Sequence, residues 1–414
     1  MQTDAEPFLQ RIRAFPDDDV PRLIFADWLD EQHDEAASAR ARFIRIQTTL
    51  ARLPDDDDRR HPLIAAERKL LDLHKDEWAG AFRGLANSPE FRRGFVEEVK
   101  ITARQYLRHA NELFAAGPLR HIHLLDIGGN VQAVMQSSFL GRLSALTVSH
   151  QHAGEPLARA VARCPHLVGL RTLRLCRNRL DDAAAEHLAA SPHLANLEEL
   201  DLAENDLGET GARALAASPH FAKLRRLELR HNQLGPAGAE AVAASERLAG
   251  LRHLGVAGND VGVPRLFSLP RAGNFLRVPG LDLAGNSFTP AGLLAIFNRP
   301  TGVRVRDLDL SHNDIGDNGA RVLAGCEHLS GLLTLRLTGC MITDEGAAAL
   351  AASRQLGALV ALDLGNNPIS DDGYRPFLDA NNLRHLRRLG YSEIGLSEPM
   401  RWALEYKFRP AGVG

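Results

Sequence analysis

The sequence predicts an α/β solenoid in which a curved parallel sheet lies inside and helices lie outside, preceded by an all-α capping module. Three observations predict it. A pattern of leucines recurs every 27 residues through most of the chain, and its alternating apolar positions suit short strands. Alanine- and glycine-rich stretches of helical period separate those strands. The first 90 residues carry no repeat and read instead as amphipathic helices.

The chain has 414 residues, a length that would suggest two or three compact domains if it did not repeat. The pattern L-x-x-L-x-L-x-x-N-x-L starts at Leu170, Leu197, Leu224, Leu251, Val278, Val305, Leu332 and Leu359, each 27 residues after the one before. Degenerate copies start at Leu143 and Leu386, and others at Leu119 and Val96 at spacings of 24 and 23, which makes twelve strand-like segments. A period of this length means one supersecondary unit stacked many times. Between strands, "TGARALAAS" (210–218), "AGAEAVAAS" (237–245) and "EGAAALAAS" (345–353) place apolar residues at i, i+3 and i+4, as a helix packed behind a strand requires. Gly211, Gly238, Gly292, Gly319, Gly346 and Gly373 share one register, where a helix is expected to pass close to neighbouring backbone.

These units resemble leucine-rich repeats of the ribonuclease-inhibitor type, over residues 91–396. In that family the repeat asparagine bonds the backbone of adjoining turns and so forms a ladder. The resemblance assigns that role to Asn178, Asn205, Asn232, Asn259, Asn286, Asn313 and Asn367, with Gln151 and Cys340 substituted. Cys340 then reads as a packed thiol rather than a reactive one.

Before the repeats, helices are expected at 5–14, 20–32, 36–52 and 62–82. In "DDDVPRLIFADWLDE", Asp18 or Asp19 suits the helix N-cap, the acidic run suits the positive end of the dipole, and Pro21 suits the first turn. Leu23, Ile24, Trp28 and Leu29 supply the expected buried stripe. Asp27 lies inside that run and needs a partner if buried, for which Arg42 and Arg45 are candidates. "FPDDDVPRLIFADWLDE" together with "RFIRIQ" resembles the repeat-companion domain, a short helical module that precedes repeat arrays in some bacterial proteins. "FRRGFVEEVKI" resembles the entry from that module into its repeats, whereas "SARARFIRIQ" departs from a family that more often has glycine and an acid before the phenylalanine. The module has no assigned catalytic activity, so the resemblance implies none. Its carboxylates lack the D-x-D-x-D-G spacing of a calcium loop, and the second acidic run, "LPDDDDRRHP" (53–62), reads as a solvated loop. At the other end, "LSEPMRWALEYKF" (396–408) reads as a closing helix with Ser397 as N-cap, Pro399 in the first turn, and Trp402, Leu404 or Phe408 covering the last repeat. The expected boundaries are therefore 1–90 for the helical module, 91–396 for the repeats and 397–414 for the capping helix and tail.

Composition excludes several classes of function. The chain is 44% hydrophobic and 24% charged with a net charge of -3, so it lacks the basic excess that a nucleic-acid partner demands. Four scattered cysteines are too few for a disulfide framework in a chain this long. The N-terminus has no basic start followed by an apolar core, and no run of 18 apolar residues occurs; neither a signal peptide nor a membrane span is expected. A cytoplasmic protein is the expectation. With no nucleophile–base motif, glycine-rich phosphate loop or CxxC pair, no enzyme activity and no cofactor are expected.

Function is sought on the concave sheet face, where strand positions three, five and seven point. In the middle repeats opposite charges neighbour one another, as in Arg171–Glu198–Arg225 and Arg174–Asp201, and read as self-satisfied surface. From Leu251 to Leu332 the pattern changes. Asp282 and Asp309 are lateral neighbours of like sign, Asp307 is close by, and His312 and Arg336 border them. Gly255, Ala257, Gly258, Gly280, Ala284 and Gly285 are expected to leave the floor open, and the acids repel unless a cation arrives. "GVPRLFSLPRAGNFLR" (262–277) also breaks the helix pattern, with two prolines and with Arg265 in place of the expected glycine. A second cluster joins His121 and His123 on one strand with His150 and His152 on the next repeat, near Asp126. Histidines at i, i+2 can share a zinc ion if a third ligand reaches in.

The reading that follows is a non-enzymatic scaffold that binds a protein partner through Asp282, Asp307, Asp309, His312 and Arg336, capped by the helical module. Two alternatives stand beside it. One is regulation of a GTPase, since the Ran GTPase-activating protein is built from similar repeats. The other is metal binding through His121, His123 and His150.

Overall fold

The computed structural model describes residues 2–54, 57–262, 272–297 and 303–408. The chain forms two compact units, Met1–Ala153 with Arg163–Arg174, and Gly154–Ala162 with Leu175–Gly414. Arg265 and both prolines of the irregular stretch, Pro264 and Pro270, lie outside the described residues.

The first unit begins with four helices: α1 (Gln2–Ala14), α2 (Val20–Asp30), α3 (Glu35–Arg52) and α4 (Arg60–Trp78). Asp19 is the N-cap of α2 without a side-chain capping bond, while Asp18 Oδ1 accepts the Val20 N–H at 2.9 Å. The acidic run starts a helix. Its buried face is Arg22, Phe25, Ala26 and Leu29, an i, i+3, i+4, i+7 stripe that packs on Ile12, Ala41, Ile44 and Phe95. Ile24 is offset from that stripe and is 51% exposed, and Leu23 and Trp28 are only partly buried. Asp27 is exposed rather than buried, and it pairs with Arg45 at 2.7 Å.

A hairpin follows, β1 (Asn87–Arg92) with β2 (Phe95–Thr102). Its two-residue turn, Arg93–Gly94, has φ of 48° and 88°, the left-handed pair that a tight right-twisted hairpin requires. A side chain at Gly94 would meet Ile44 Cγ1 at 2.5 Å, and the Gly94 N–H is donated to Gln47 Oε1 at 2.6 Å. Arg22, fully buried, reaches Glu97 of β2 at 2.7 Å and donates to the carbonyl of Pro16 at 2.8 Å. Removing one partner of such a buried pair costs about 3–5 kcal/mol, because the other charge is stranded. The helices and the first strands are therefore one unit, which continues past residue 90. After α5 (Ala103–Ala116), started by a Thr102–Gln105 capping box, come β3 (His121–Leu125), α6 (Val131–Met135), β4 (Ala145–Thr147) and β5 (Thr172–Arg174). From β2 to β5 each strand pairs in parallel with the next.

The second unit opens with α7 (Gly154–Ala162) and α8 (Asp182–Ala189). Then come β6 (Glu199–Asp201), α9 (Glu209–Ala217), β7 (Arg226–Glu228), α10 (Gly235–Ala243), β8 (His253–Gly255) and β9 (Gly280–Asp282). They are followed by α11 (Pro290–Phe297), β10 (Asp307–Asp309), α12 (Gly316–Gly325), β11 (Thr334–Arg336) and α13 (Asp344–Ala351). The last elements are β12 (Ala361–Asp363), α14 (Asp371–Leu378), β13 (Arg388–Gly390) and α15 (Glu398–Lys407). Strands β6 to β13 pair in parallel in chain order, and the central leucine of each, from Leu200 to Leu389, is buried.

On the helix side the repeats are joined by aspartates. Asp182 Oδ1 accepts the N–H groups of Gly208 and Gly211, Asp317 Oδ1 those of Thr343 and Gly346, and Asp344 and Asp371 take the N–H and hydroxyl of Ser370 and Ser397. Each aspartate thus satisfies the open start of the next helix. This explains much of the glycine register: a Cβ at Gly211 would lie 2.6 Å from Asp182 Oδ1, and one at Gly373 2.5 Å from Asp344 Oδ1. Helix backbone approaches closely as well, as the register suggests: the Cα atoms of Asp182, Glu209, Asp317 and Asp344 lie 3.2, 3.1, 3.1 and 2.8 Å from a Cβ built at Gly211, Gly238, Gly346 and Gly373. Serine makes a parallel series, in which Ser191, Ser218, Ser245 and Ser353 donate to carbonyls of the preceding repeat. In α15, Ser397 Oγ accepts the Met400 N–H, and Leu404 and Phe408 are buried while Trp402 is 69% exposed.

Candidate functional site

Strands β6 to β12 each run into a turn that has a left-handed residue at one fixed position. Glu204, His231, Gly258, Gly285, His312, Gly339 and Asn366 all have φ between 52° and 64°, and they recur every 27 residues. Glycine adopts that conformation freely, so Gly258, Gly285 and Gly339 are accounted for by backbone geometry. The next residue is the repeat asparagine. Asn286 shows the pattern: its amide nitrogen donates to the carbonyls of Val256, Leu283 and Ala284, and its Oδ1 accepts the N–H groups of Asn259 and Val261. Asn178, Asn205, Asn232, Asn259, Asn313 and Asn367 make corresponding bonds. At Cys340 the thiol takes that place, 3.2 Å from the Leu310 carbonyl, and burial pushes its pKa up to about 11. Gln151 Oε1 accepts the Ile127 N–H at 3.2 Å.

The acidic residues stand where these turns begin. Asp309 is in register with Asp282 on one side and Arg336 on the other, and Asp307 is in register with Gly280 and Thr334. Asp282 Oδ1 accepts the Ala284 N–H at 3.0 Å and Asp309 Oδ1 the Ser311 N–H at 2.9 Å, so each carboxylate also closes its own turn. Asp363 does the same with Gly365. Burial, and then the charges of Asp309 and Glu228, hold the Asp282 carboxyl above the usual range. Asp307, His312 and Arg336 are exposed.

The floor around this pair is not open as small residues alone would suggest. The Glu228 carboxylate lies over Gly255, the His231 ring over Gly258, and His253 within 3.1 Å of a Cβ built at Gly280. A long side chain from the preceding repeat fills the space that each glycine leaves. Gly285 differs, since a Cβ there would meet nothing closer than 3.9 Å. Glu228 is itself buried and held by His253 at 2.7 Å and Arg226 at 2.6 Å.

In the first unit, parallel pairing sets Glu98 of β2 opposite His121 of β3, and His123 lies two residues on, along the same face. His123 Nε2 is 2.6 Å from Glu98 Oε1, His121 Nδ1 is 3.3 Å from Glu98 Oε2, and the two imidazole centroids are 4.2 Å apart. His121 Nε2 meets Thr147 Oγ1 at 2.8 Å, and Arg92 donates to Glu98 Oε2 at 2.8 Å. Burial holds the His121 pKa below its usual value, while hydrogen bonds from both histidines and Arg92 hold that of Glu98 down. His150 and His152 are not part of this group. Strand β4 ends at Thr147, and both residues sit in the exposed turn beyond it with φ of 62° and 50°. Asp126 is likewise exposed in a left-handed turn. The third ligand-type group is Glu98, whose sequence neighbours carry no metal-site spacing.

A family model described as "Leucine Rich repeat" matches residues 193–216, 222–243, 305–324, 328–351 and 359–377. No curated protein matches the chain. Among solved structures, the yeast Rad7 and Elc1 complex is similar at 14% identity with a TM-score of 0.52, over 94% of this chain and 96% of that one. An internalin of Listeria monocytogenes is similar at 18% identity with a TM-score of 0.43, over 67% of this chain and 68% of that one. The mouse RP105/MD-1 complex is similar at 16% identity with a TM-score of 0.43, over 74% of this chain and 55% of that one. Among the described residues, no helix is long and apolar enough to cross a membrane. The matched stretches, registered strands and buried leucines give the chain a leucine-rich repeat fold.

Proposed function

We propose that the chain is a non-enzymatic scaffold that binds a protein partner on the open face of strands β9 to β11. The supporting observation is the like-charged pair Asp282–Asp309, in direct register on adjacent strands and bordered by exposed Asp307, His312 and Arg336. Two carboxylates so placed repel, and a basic segment of a partner relieves the repulsion while burying the acids further. The resemblance to the repeat-companion domain assigns the N-terminal helices a capping role, and the absence of catalytic motifs supports a binding rather than an enzymatic role. One of the similar structures is the complex of Rad7 and Elc1 in yeast, which accords with a fold that serves assembly.

The test begins with capture of partners from native lysate on the immobilised chain, followed by titration of each captured protein. Asn retains the Oδ1 that closes each turn, so the Asp282→Asn/Asp309→Asn variant removes charge while keeping the turn bond. It is expected to bind the partner at least about tenfold more weakly, an effect of about 1.4 kcal/mol. Unchanged binding in this variant, with loss on mutating the helix side or α1–α4, refutes the site.

A further inference from the structure

We propose that Glu98, His121 and His123 form a binding site for one divalent transition-metal ion of the zinc class. Two imidazole nitrogens and a carboxylate oxygen converge, with all ligand atoms within 4.8 Å of one another. Tetrahedral zinc, with bonds of about 2.0–2.2 Å, holds its donors roughly 3.3–3.5 Å apart. The Glu98–His121 separation of 3.3 Å already meets that spacing. The Glu98–His123 separation of 2.6 Å has to open by a few tenths of an ångström, which rotation of the carboxylate provides.

The mounting is rigid. All three side chains project from paired strands, so their backbones are fixed by register and only side-chain torsions adjust. Each end of the group is also held by a further contact. Thr147 Oγ1 engages the far nitrogen of His121, which leaves Nδ1 facing Glu98, and Arg92 engages Glu98 Oε2, which holds the carboxylate with one oxygen toward each imidazole. Such outer contacts fix ligand orientation in metal sites. Two nitrogens and one oxygen suit zinc, cobalt or nickel; calcium and magnesium prefer all-oxygen sites, and Cu(I) prefers sulfur. Three protein ligands leave a fourth position for water or a ligand, on the side of His123, which is 20% exposed.

The alternative is a hydrogen-bonded cluster that needs no ion, in which Glu98 is answered by Arg92 and the two histidines. Chelator-treated full-length protein titrated with Zn²⁺, and separately with Co²⁺, distinguishes the two. One equivalent of metal is expected to raise Tm and to give a cobalt d–d band of tetrahedral or five-coordinate intensity. Glu98→Gln and His123→Asn should each weaken binding at least about 100-fold, Thr147→Val by about 10- to 100-fold, and His231→Asn not at all. Circular dichroism shows which variants are folded. X-ray absorption on the zinc-loaded wild type gives an answer that depends on no variant, and two imidazoles with one carboxylate are expected. No Tm rise and no cobalt band in the wild type, sulfur ligation, or undiminished binding in folded His123→Asn would each overturn the proposal.

Discussion

From Asp317 to Ser397 aspartates tie the start of each helix to the repeat before it, whereas the repeats that carry the strands at 253–282 have no aspartate at that position. In the later repeats Asp317, Asp344 and Asp371 each hold the start of the next helix, and Cys340 and Asn367 occupy the rungs on the sheet side. Between Asp182 and Asp317 the residues at the aspartate position are Glu209, Pro236, Val263 and Pro290, and Ala272 stands where the serine would be. The turn ladder nonetheless continues through Asn259 and Asn286. The stretches matched by the family model likewise stop at 243 and resume at 305. The difference teaches that the sheet-side ties continue where the helix-side aspartates stop. Parallel strand pairing and the turn asparagines together keep Asp282 and Asp309 side by side.

The largest expected effect breaks the common element. Asn286→Ala and Asn232→Ala should each cost about 1–3 kcal/mol, because buried backbone groups lose their partners. Arg230→Ala, on exposed surface, should cost under about 0.5 kcal/mol. Chemical denaturation measures all three, and losses of equal size would refute the role given to the turns. A smaller effect separates the two regions. Asp344→Ala should cost about 1 kcal/mol, as loss of a helix cap does, against under about 0.5 kcal/mol for Glu209→Ala, which has only an i, i+4 partner in Arg213.

Cys340 offers a change of the opposite sign. Its thiol is a weak donor, toward the Leu310 and Thr338 carbonyls, where asparagine would donate an amide, so Cys340→Asn should stabilise by up to about 1 kcal/mol; a clear loss would show that the thiol is packed more closely than the rung geometry implies. The smallest effect concerns pH. Burial raises the folded-state pKa of Asp282, so between the ordinary carboxylate range and that raised value the folded state holds the extra proton. Stability then falls as pH rises through that window, and the penalty persists above it. Asp282→Asn should therefore melt at an equal or higher temperature at pH 7 and unchanged at pH 3. A lower melting temperature at pH 7 would mean that the charge itself is stabilising.

The repeat was legible because each buried leucine and each rung asparagine is set by its own unit, at fixed spacing. What escaped was set between units. The aspartates at 182, 317, 344 and 371 carry no signal within their own unit, since their role depends on the next repeat's N–H groups. Gly255 and Gly258 read as open floor because nothing local says that Glu228 and His231 reach across to cover them. Glu98 was not linked to His121 because 23 residues separate them and only strand register joins them. In α2, apolar residues alone suggested Ile24 for the core, while Arg22 took a core position through its pairing with Glu97. Strand β1 carries no alternation and is defined by its hairpin turn.

Backbone hydrogen exchange compares the two ladders in a single sample. The amides of Asn259, Val261, Asn286 and Phe288 should exchange as slowly as those of Cys340 and Ile342, since all donate to a rung asparagine. The Ala237 and Gly238 amides in the first turn of α10 should exchange at least about tenfold faster than those of Thr343 and Gly346, which Asp317 holds. If instead the four central turn amides exchange as fast as the α10 amides, the sheet face is not held independently of its helices, and the account is wrong.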